Sequence, residues 1–134
     1  MMDATTKTNP VQKKLLIPIY NSRGDVEAFL SYPHLHNRNG EWIGWVTPQR
    51  DVYSVLGHYV GTLTSEPRIL RTRVMEEIKP HLPPPPSPGK VSPPATVPLA
   101  PMMRELTYST IDILLEEPER LHTLDVGELR EDMD

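Results

Sequence analysis

The chain has 134 residues, enough for one domain with a tail, and its lack of cysteine excludes disulfides, thiolate nucleophiles and cysteine-based metal sites. Its net charge of −4 is unevenly distributed, with +3 over residues 1–101 and −7 over residues 102–134. An acidic tail of this kind repels the phosphates of nucleic acid.

After a polar stretch of 13 residues that is expected to be disordered, one pattern occurs three times, over residues 19–30, 35–46 and 52–63. Each copy has an apolar or aromatic pair, then Asn or Ser, and then a glycine three positions later. These glycines, spaced by 16 and 17 residues, are Gly24, Gly40 and Gly57. Asn or Ser at the first position and Gly at the fourth suit a type I turn with a left-handed glycine that forms a bulge. The repeat therefore predicts three β-hairpins, and replacement of these structural turn glycines should strain the backbone.

Beyond each turn glycine, the returning strand alternates between two faces. On one face, every second residue forms a series of a large, a small and a medium-sized apolar side chain. Alternation with a period of two residues is typical of a strand with one buried face. The small residues are Ala28, Gly44 and Gly61. They predict that another backbone or a large side chain approaches the strand closely.

A fourth unit begins after the third hairpin and then departs from the pattern. The connections between the units each contain a proline and are predicted to be turns, at residues 31–34, 47–51 and 64–68. Ile69 and Leu70 open the fourth unit, but no turn glycine follows. Arg68 to Ile78 is therefore predicted as one longer strand, with a helix as the alternative. The fourth hairpin is then either incomplete or completed by Lys14 to Ile17.

Ten of the 16 prolines lie between Pro80 and Pro101. This composition predicts an extended polyproline II linker between a hairpin domain of residues 14–79 and an acidic arm of residues 102–134. The linker is either a spacer that lies along the surface or a ligand for aromatic grooves of the PxxP kind. Spacers are the commoner case, so the sequence favours a spacer.

The acidic arm contains apolar residues at helical spacing. Thr107 or Ser109 is expected to cap a short helix that ends at Glu117. One face of this helix would carry Ile111, Leu114 and Leu115. Further apolar residues follow at Leu121, Leu124, Val126 and Leu129. Two interpretations stay open, a docking segment that folds on a surface and disorder throughout.

The sequence has no pattern of a catalytic or cofactor site: no glycine-rich phosphate loop, nucleophile elbow or metalloprotease helix. His34 and His36 should share a strand face, which would begin a metal site, but no third ligand has suitable spacing. His36 also takes the position that Tyr20 and Tyr53 fill in the other repeats, which indicates a packing role. The sequence therefore predicts no catalytic residue, no cofactor and no metal.

Nucleic-acid binding is the alternative function from another class. Arg68, Arg71 and Arg73 alternate with apolar residues, and exposed aromatic side chains stack on bases in single-strand binding proteins. In small β domains, however, Trp and Tyr are more often core residues. Together with the acidic tail, this argues against nucleic acid as the partner.

The hairpin repeats resemble the four-fold β-flower domain family, small bacterial proteins whose successive hairpins surround a pseudo-four-fold axis. The resemblance rests on Tyr20 with Gly24 to Leu30, His36 with Gly40 to Val46, and Tyr53 with Gly57 to Leu63. It covers residues 14–78 well and the tail weakly, and it implies a fold without an established activity. A weaker resemblance, to the PRC-barrel, uses the second and third of these stretches and leaves the regular spacing unexplained.

The predicted fold is mainly β: antiparallel β-hairpin repeats in a pseudo-four-fold flower or small barrel, with a proline-rich linker and an acidic, partly helical C-terminal arm. The predicted function is a non-catalytic protein-interaction or self-assembly module that binds a protein partner or a second copy of the chain. The candidate partner-binding residues are Phe29, Trp45, Arg71, Arg73, Ile111, Leu114 and Leu115. No apolar run approaches the roughly 20 residues that cross a bilayer and no secretory signal is evident, so a cytoplasmic protein without membrane contact is expected.

Overall fold

Eight antiparallel strands form a single sheet in the computed structural model, which describes residues 15–74 and 79–124. Strands that are neighbours in the sheet are also neighbours in the chain, and the sheet curls into a half-barrel. The strands are β1 (Ile17–Tyr20), β2 (Val26–Ser31), β3 (His34–Asn37), β4 (Trp42–Val46), β5 (Asp51–Ser54), β6 (Tyr59–Leu63), β7 (Ile69–Thr72) and β8 (Thr110–Asp112). A short helix, α1 (Ile113–Glu116), and a 3-10 turn (Pro118–Arg120) follow β8. The prediction of a mainly β fold built from antiparallel hairpins is confirmed.

The three repeats are hairpins with the predicted turn. In each, the glycine amide donates a hydrogen bond of 2.9 Å to the carbonyl three residues earlier, from Gly24 to Asn21, from Gly40 to Asn37 and from Gly57 to Ser54. The three glycines have φ of 92°, 87° and 87°, the left-handed region, and a bulge follows in each ladder. Asn and Ser suit the first turn position because their side-chain oxygens accept bonds from two amides of the same turn.

The apolar face of the sheet forms one core with residues from near the C-terminus. Ile19, Leu35, Val52 and Ile69 are fully buried in the strands, and Ile113 of α1 is buried with them. Hairpin strands of four to six residues cannot enclose such a core alone, so the segment after β8 contributes part of the burial that stabilises the sheet.

The close approach predicted at the small strand residues is confirmed for two of them. An alanine Cβ at Gly44 would lie 2.9 Å from Cδ2 of Leu121, and one at Gly61 would lie 3.3 Å from Cγ1 of Ile113. Each Cβ would lie nearer still to a carbonyl oxygen of the neighbouring strand, 2.5 Å from that of Tyr53 and 2.8 Å from that of Leu70. Each glycine therefore makes room for a neighbouring backbone as well as for a side chain from the segment that follows β8.

The fourth hairpin is closed by a segment far away in the chain. β7 pairs with β8 through residues 70–72 and 110–112. Neither alternative for the fourth hairpin is right for the described residues: β8 completes it, and Ile17 belongs to β1, where it pairs with Leu30 of β2. With no turn glycine after β7, the chain runs on through residues 73–109 before it returns.

The strand predicted from Arg68 to Ile78 is shorter than expected, and its helical alternative is wrong where the structure describes it. β7 ends at Thr72, and the amide of Arg73 donates to the carbonyl of Ser109 at 2.7 Å as the chain bends. The strand stops there because its partner β8 starts only at residue 110.

The predicted C-terminal helix starts later than expected. It begins at Ile113 without a side-chain cap, so the caps predicted at Thr107 and Ser109 are wrong. Ile111, expected on the helix face, lies in β8 because its backbone completes the ladder with β7. The predicted end at Glu117 is confirmed, since its amide caps the helix by donating to the Ile113 carbonyl.

Several predictions concern residues outside the described part of the chain: the disorder of residues 1–13, the end of the long strand at residues 75–78, and the arm at Val126 and Leu129. The domain limits at 14–79, 80–101 and 102–134 stay predictions. The sheet draws on residues on both sides of the proline-rich segment, since β8 lies beyond it.

Candidate partner-binding surface

Residues 79–106 form one extended segment, here named the strap, that passes the tips of the hairpins. At the third hairpin, the amide of Leu82 donates to the carbonyl of Gly57 at 3.0 Å. At the second hairpin, the amide of Val91 donates to the carbonyl of Gly40, also at 3.0 Å. The strap is therefore bound through its backbone at the same position of two successive turns.

The strap reaches the tip of the first hairpin at Ala100. An alanine Cβ at Gly24 would lie 3.7 Å from the Cβ of Ala100. The three contacting strap residues, Leu82, Val91 and Ala100, are nine positions apart. The strap therefore passes one hairpin tip in every nine residues.

Two tyrosine hydroxyls bind the strap two residues before the first and the last of these contacts. Tyr53 donates to the carbonyl of Pro80 at 3.3 Å, and Tyr20 donates to the carbonyl of Pro98 at 2.7 Å. His36 fills the equivalent slot of the second hairpin, where it is buried and its Nδ1 lies 3.1 Å from the carbonyl oxygen of its own turn glycine. At these two equivalent slots, a tyrosine hydroxyl therefore holds the strap directly.

The Tyr53 hydroxyl is held in its protonated, donating form. Burial raises the pKa of this hydroxyl above its ordinary value, and the Asp51 carboxylate raises the pKa further. Lys79 lowers it through its positive charge and pairs with Asp51 at 3.5 Å. The start of the strap is thus fixed to the third hairpin by an ion pair as well as by the phenol.

Burial along the strap has a period of three residues. Positions 82, 85, 88 and 91 are half-buried and the residues between them are exposed, and the same holds for positions 97, 100, 103 and 106. Three residues per turn is the geometry of polyproline II. One ridge of the strap therefore faces the hairpins, and the other two ridges face the solvent.

The solvent ridges are apolar near the end of the strap. Leu99 is 95% exposed and Met102 is 97% exposed, and Pro98 and Pro101 beside them are also exposed. These four residues are named the outward face. Ala100 lies between them and points to the first hairpin tip. Apolar side chains so fully exposed on an ordered backbone mark a candidate interaction site.

A buried ionic junction holds the strap just after the outward face. Arg68 is 2% exposed, and its Nη2 lies 2.6 Å from Oε1 of Glu66. Its Nη1 donates to Oγ of Ser22 at 2.9 Å, and its Nη2 donates to the carbonyl of Arg104 at 3.0 Å. The Arg104 amide donates in turn to Oε2 of Glu66 at 3.3 Å. One guanidinium thus joins the fourth unit, the first hairpin and the strap.

Asp112 of β8 completes the junction. Its Oδ2 accepts hydrogen bonds from the amide and the hydroxyl of Ser22, each at 2.6 Å. Nearby, the amide of Tyr20 donates to the carbonyl of Pro67 at 3.1 Å. The last unit is therefore tied to the first, although the described residues contain no ladder between β1 and β8.

The chain thus has four hairpin units in sequence, with a strap along the tips of the first three. The family model of the 4-fold beta flower protein matches residues 17–113, from β1 through the strap to the first residue of α1. The chain belongs to this family. The match extends beyond the hairpins on which the resemblance rests, and the flower family has no established activity. No curated protein and no solved structure matches the chain significantly.

Several of the residues predicted to bind a partner are used by the flower itself. Three of them are buried: Phe29, Ile111 and Leu114. Leu115 is half-buried, and Trp45 stacks on Tyr53 with their ring centroids 5.1 Å apart. The indole N–H of Trp45 donates to a carbonyl of the neighbouring strand at 3.2 Å. A partner-binding role for these residues stays a prediction.

The two predicted arginines face the segment after β8. Arg71 is buried, with its Nη1 3.3 Å from Oε1 of Glu117. Arg73 pairs with Glu116 at 3.3 Å, and its guanidinium carbon lies 4.1 Å from the centroid of the Tyr108 ring. With Arg68, which pairs with Glu66, all three arginines that the nucleic-acid alternative relied on are matched by carboxylates of the same chain.

The histidines take no part in a recognisable metal site. Among residues 15–74 and 79–124, no three His, Cys, Asp or Glu side chains are placed to hold a metal ion. His34 lies edge-on to Trp42, with ring centroids 6.0 Å apart, while His36 faces its own turn. In the same part of the chain, no helix is long and apolar enough to cross a membrane.

The sequence patterns did not point to the strap anchors or to the outward face. A signal for the anchors was nevertheless present in the sequence. Tyr20 and Tyr53 hold the same position in the first and the third repeat, and the prolines that they bind, Pro98 and Pro80, are 18 positions apart. That distance is twice the nine-residue interval between the strap contacts. No pattern marked the junction, because Arg68 and Asp112 meet only after the sheet has formed.

The junction should make the flower sensitive to acid. Burial raises the pKa of the Glu66 carboxyl, but hydrogen bonds from Arg68 and Arg104 and the charges of both outweigh burial and hold the pKa below its ordinary value of 4.5. A carboxyl whose pKa is lower in the folded protein than in the unfolded chain stabilises the fold. This stabilisation is fully present above pH 4.5 and is lost as the pH falls through the pKa of the folded protein. The urea midpoint should therefore fall as the pH is lowered past 4.5, and it should fall less in Glu66→Gln.

The measurement is urea unfolding at constant ionic strength from pH 7 to pH 3. Glu117→Gln is the matched comparison, because it removes a second carboxyl whose pKa is lowered in the folded protein. There, too, burial raises the pKa, and the hydrogen bonds and charges of Arg120 and Arg71 outweigh burial. Equal pH slopes for the wild type and Glu66→Gln would show that the junction carboxyl does not control the acid response.

Proposed function

We propose that this flower domain is a non-catalytic protein-interaction module, in which the hairpins hold the strap so that its outward face meets another protein. The observation that carries the proposal is the nearly complete exposure of Leu99 and Met102 on a pinned backbone. On one side of them Tyr20 binds the carbonyl of Pro98, and on the other Arg68 binds the carbonyl of Arg104.

Pinning the backbone favours binding in two ways. The strap loses its conformational freedom when the domain folds, so a partner does not have to order it again. Covering the exposed apolar side chains removes their surface from water, which stabilises a complex by about 25 cal/mol for each Å² of apolar area. The inner ridge meanwhile stays on the hairpins, so binding leaves the fold unchanged.

The partner is another protein or a second copy of the flower. The two kinds of complex would use the same surface, and the mass of the purified protein distinguishes them. Self-assembly gives a mass that rises with concentration, whereas a foreign partner leaves the purified chain monomeric and appears only when it is present.

The test compares the full-length protein with Leu99→Ser/Met102→Ser. Both side chains lie outside the core, so the variant should melt at the temperature of the wild type. Tagged proteins are recovered from the cells that make them, and light scattering gives their mass at two concentrations. We expect at least a ten-fold loss of one bound protein, or the loss of self-association.

The matched control is Val74→Ser, which removes an exposed apolar side chain far from the outward face in the chain. It should retain wild-type binding and mass. If the double variant binds the same proteins at the same level as the wild type, and also has the same mass, the outward face is not an interaction site and the proposal fails.

A further inference from the structure

We infer that residues 98–104 are a preassembled polyproline II ligand, and that the protein bound there has a groove walled by parallel aromatic side chains. The inference rests on the proposed function, because it names the chemistry of the partner at the same face. Its evidence is the arrangement of side chains on the two solvent ridges, the charges at the end of these ridges, and the contacts that fix the backbone.

The three-residue period sorts the side chains of this segment into ridges. The inner ridge carries Ala100 and Met103, both half-buried. One solvent ridge carries Pro98, Pro101 and Arg104. The other carries Leu99, Met102 and Glu105. All six residues of the solvent ridges are exposed, so each ridge offers two apolar groups followed by one charge.

A pair of apolar ridges on polyproline II fits an aromatic-walled groove. The backbone makes no internal hydrogen bonds, so its carbonyls accept bonds from tyrosine or indole donors, and flat rings pack against proline and its neighbours. The flower itself binds its strap with such a donor, since the Tyr20 hydroxyl holds the carbonyl of Pro98. That bond uses the side of the strap that faces the hairpins, and the partner would apply the same chemistry to the opposite side.

The charges at the end of the ridges give the ligand a direction. Arg104 ends the proline ridge, and Glu105 ends the ridge of Leu99 and Met102. A groove that matches them has a carboxylate beside the first ridge and a positive group beside the second. Charges placed in this way favour one orientation of the ligand over its reverse.

The proline run at residues 83–86 is less suited to the same role. Pro85 lies on the inner ridge, one solvent ridge carries Pro83, Pro86 and Gly89, and the other carries Pro84, Ser87 and Lys90. Neither ridge therefore offers two apolar groups followed by one charge. Both stretches are fixed on both sides, residues 83–86 by the amides of Leu82 and Val91 and residues 98–104 by Tyr20 and the junction at Arg68, so the side chains of the solvent ridges distinguish them.

The test uses the protein whose recovery depends on Leu99 and Met102, titrated with full-length variants. Pro101→Ala should weaken its binding at least ten-fold, because it removes an apolar group from a ridge. Pro94→Ala, which changes an exposed strap proline outside residues 98–104, should stay within two-fold of the wild type. Arg104→Gln should weaken binding at low salt and have less effect at high salt.

Two probes then address the conformation of the ligand. A decaproline peptide, which is polyproline II without the native side chains, should displace the partner at high concentration. A free peptide of residues 96–106 should bind at least ten-fold more weakly than the intact flower, because its backbone is not pinned.

The outcomes separate this inference from the proposed function. If binding depends on Leu99 and Met102 but resists decaproline, and Pro101→Ala behaves like Pro94→Ala, the face is an interaction site of different chemistry and the inference is overturned. Binding of a second copy in place of a foreign protein overturns it as well. If no protein and no self-association depends on the face, the proposed function fails and this inference fails with it.

Discussion

Gly40→Ala should lower the free energy of unfolding by more than about 3 kcal/mol, whereas Gly24→Ala should lower it by only about 1–2 kcal/mol. Both glycines have a left-handed backbone, with φ of 87° and 92°, so both variants carry the same strain. Only at Gly40 does the new Cβ collide with backbone, since it would lie 2.9 Å from the carbonyl carbon of Val91 and nearer still to its oxygen. The strap has to leave the turn to relieve that collision.

Urea unfolding of the full-length variants measures this difference. Gly89→Ala is the control within the strap, because Gly89 has φ of 86° and a Cβ there meets no atom within 4 Å. Hydrogen exchange at the Val91 amide should accelerate in Gly40→Ala and stay slow in Gly24→Ala. Equal losses of stability in Gly40→Ala and Gly24→Ala would mean that the strap does not press on the second turn.

Arg68→Met should lower the free energy of unfolding by about 3–5 kcal/mol, the usual consequence of removing one partner from a buried ion pair. The methionine fills similar space but removes the ion-pair partner of Glu66, and it removes the guanidinium donor from the Ser22 hydroxyl and the Arg104 carbonyl. Because this guanidinium also holds the end of the strap, the loss should be accompanied by faster exchange at the Arg104 amide.

Arg73→Met is the matched comparison. Arg73 also pairs with a glutamate, but both side chains are roughly a third or more exposed, so removing this pair should cost about 1 kcal/mol or less. Arg68→Lys separates charge from shape, because lysine retains the charge and loses the forked donors that reach three partners. If Arg68→Met and Arg73→Met are equally stable, the junction does not hold the flower together.

The parts of the fold that could be predicted are those specified by neighbouring residues. Asn21 and Gly24 lie within one turn, and their side-chain oxygen and left-handed φ determine that turn without help from the rest of the chain. The small residues at Gly44 and Gly61 likewise indicated close approach correctly, although not which side chain approaches.

The parts that could not be predicted depend on residues that meet across the fold. β8 has only three residues, and nothing in Thr110 or Asp112 marks a strand until the unpaired edge of β7 is present. The strap was interpreted as a spacer because its prolines indicate stiffness, while the groups that bind it are tyrosine hydroxyls and turn carbonyls elsewhere. Exposure of Leu99 and Met102 is a property of the packed ridge and cannot be read from composition.

The long route from β7 to β8 also determines the order in which the flower assembles. The first three hairpins close through turns of a few residues, so their contacts are local and form quickly. The fourth hairpin closes a loop of residues 73–109, which carries a larger entropic cost and postpones its ladder until the strap is in place. Because opening this hairpin would also take Ile111 and Ile113 out of the core, we expect the strap and the outward face to come free only when the fourth hairpin unfolds.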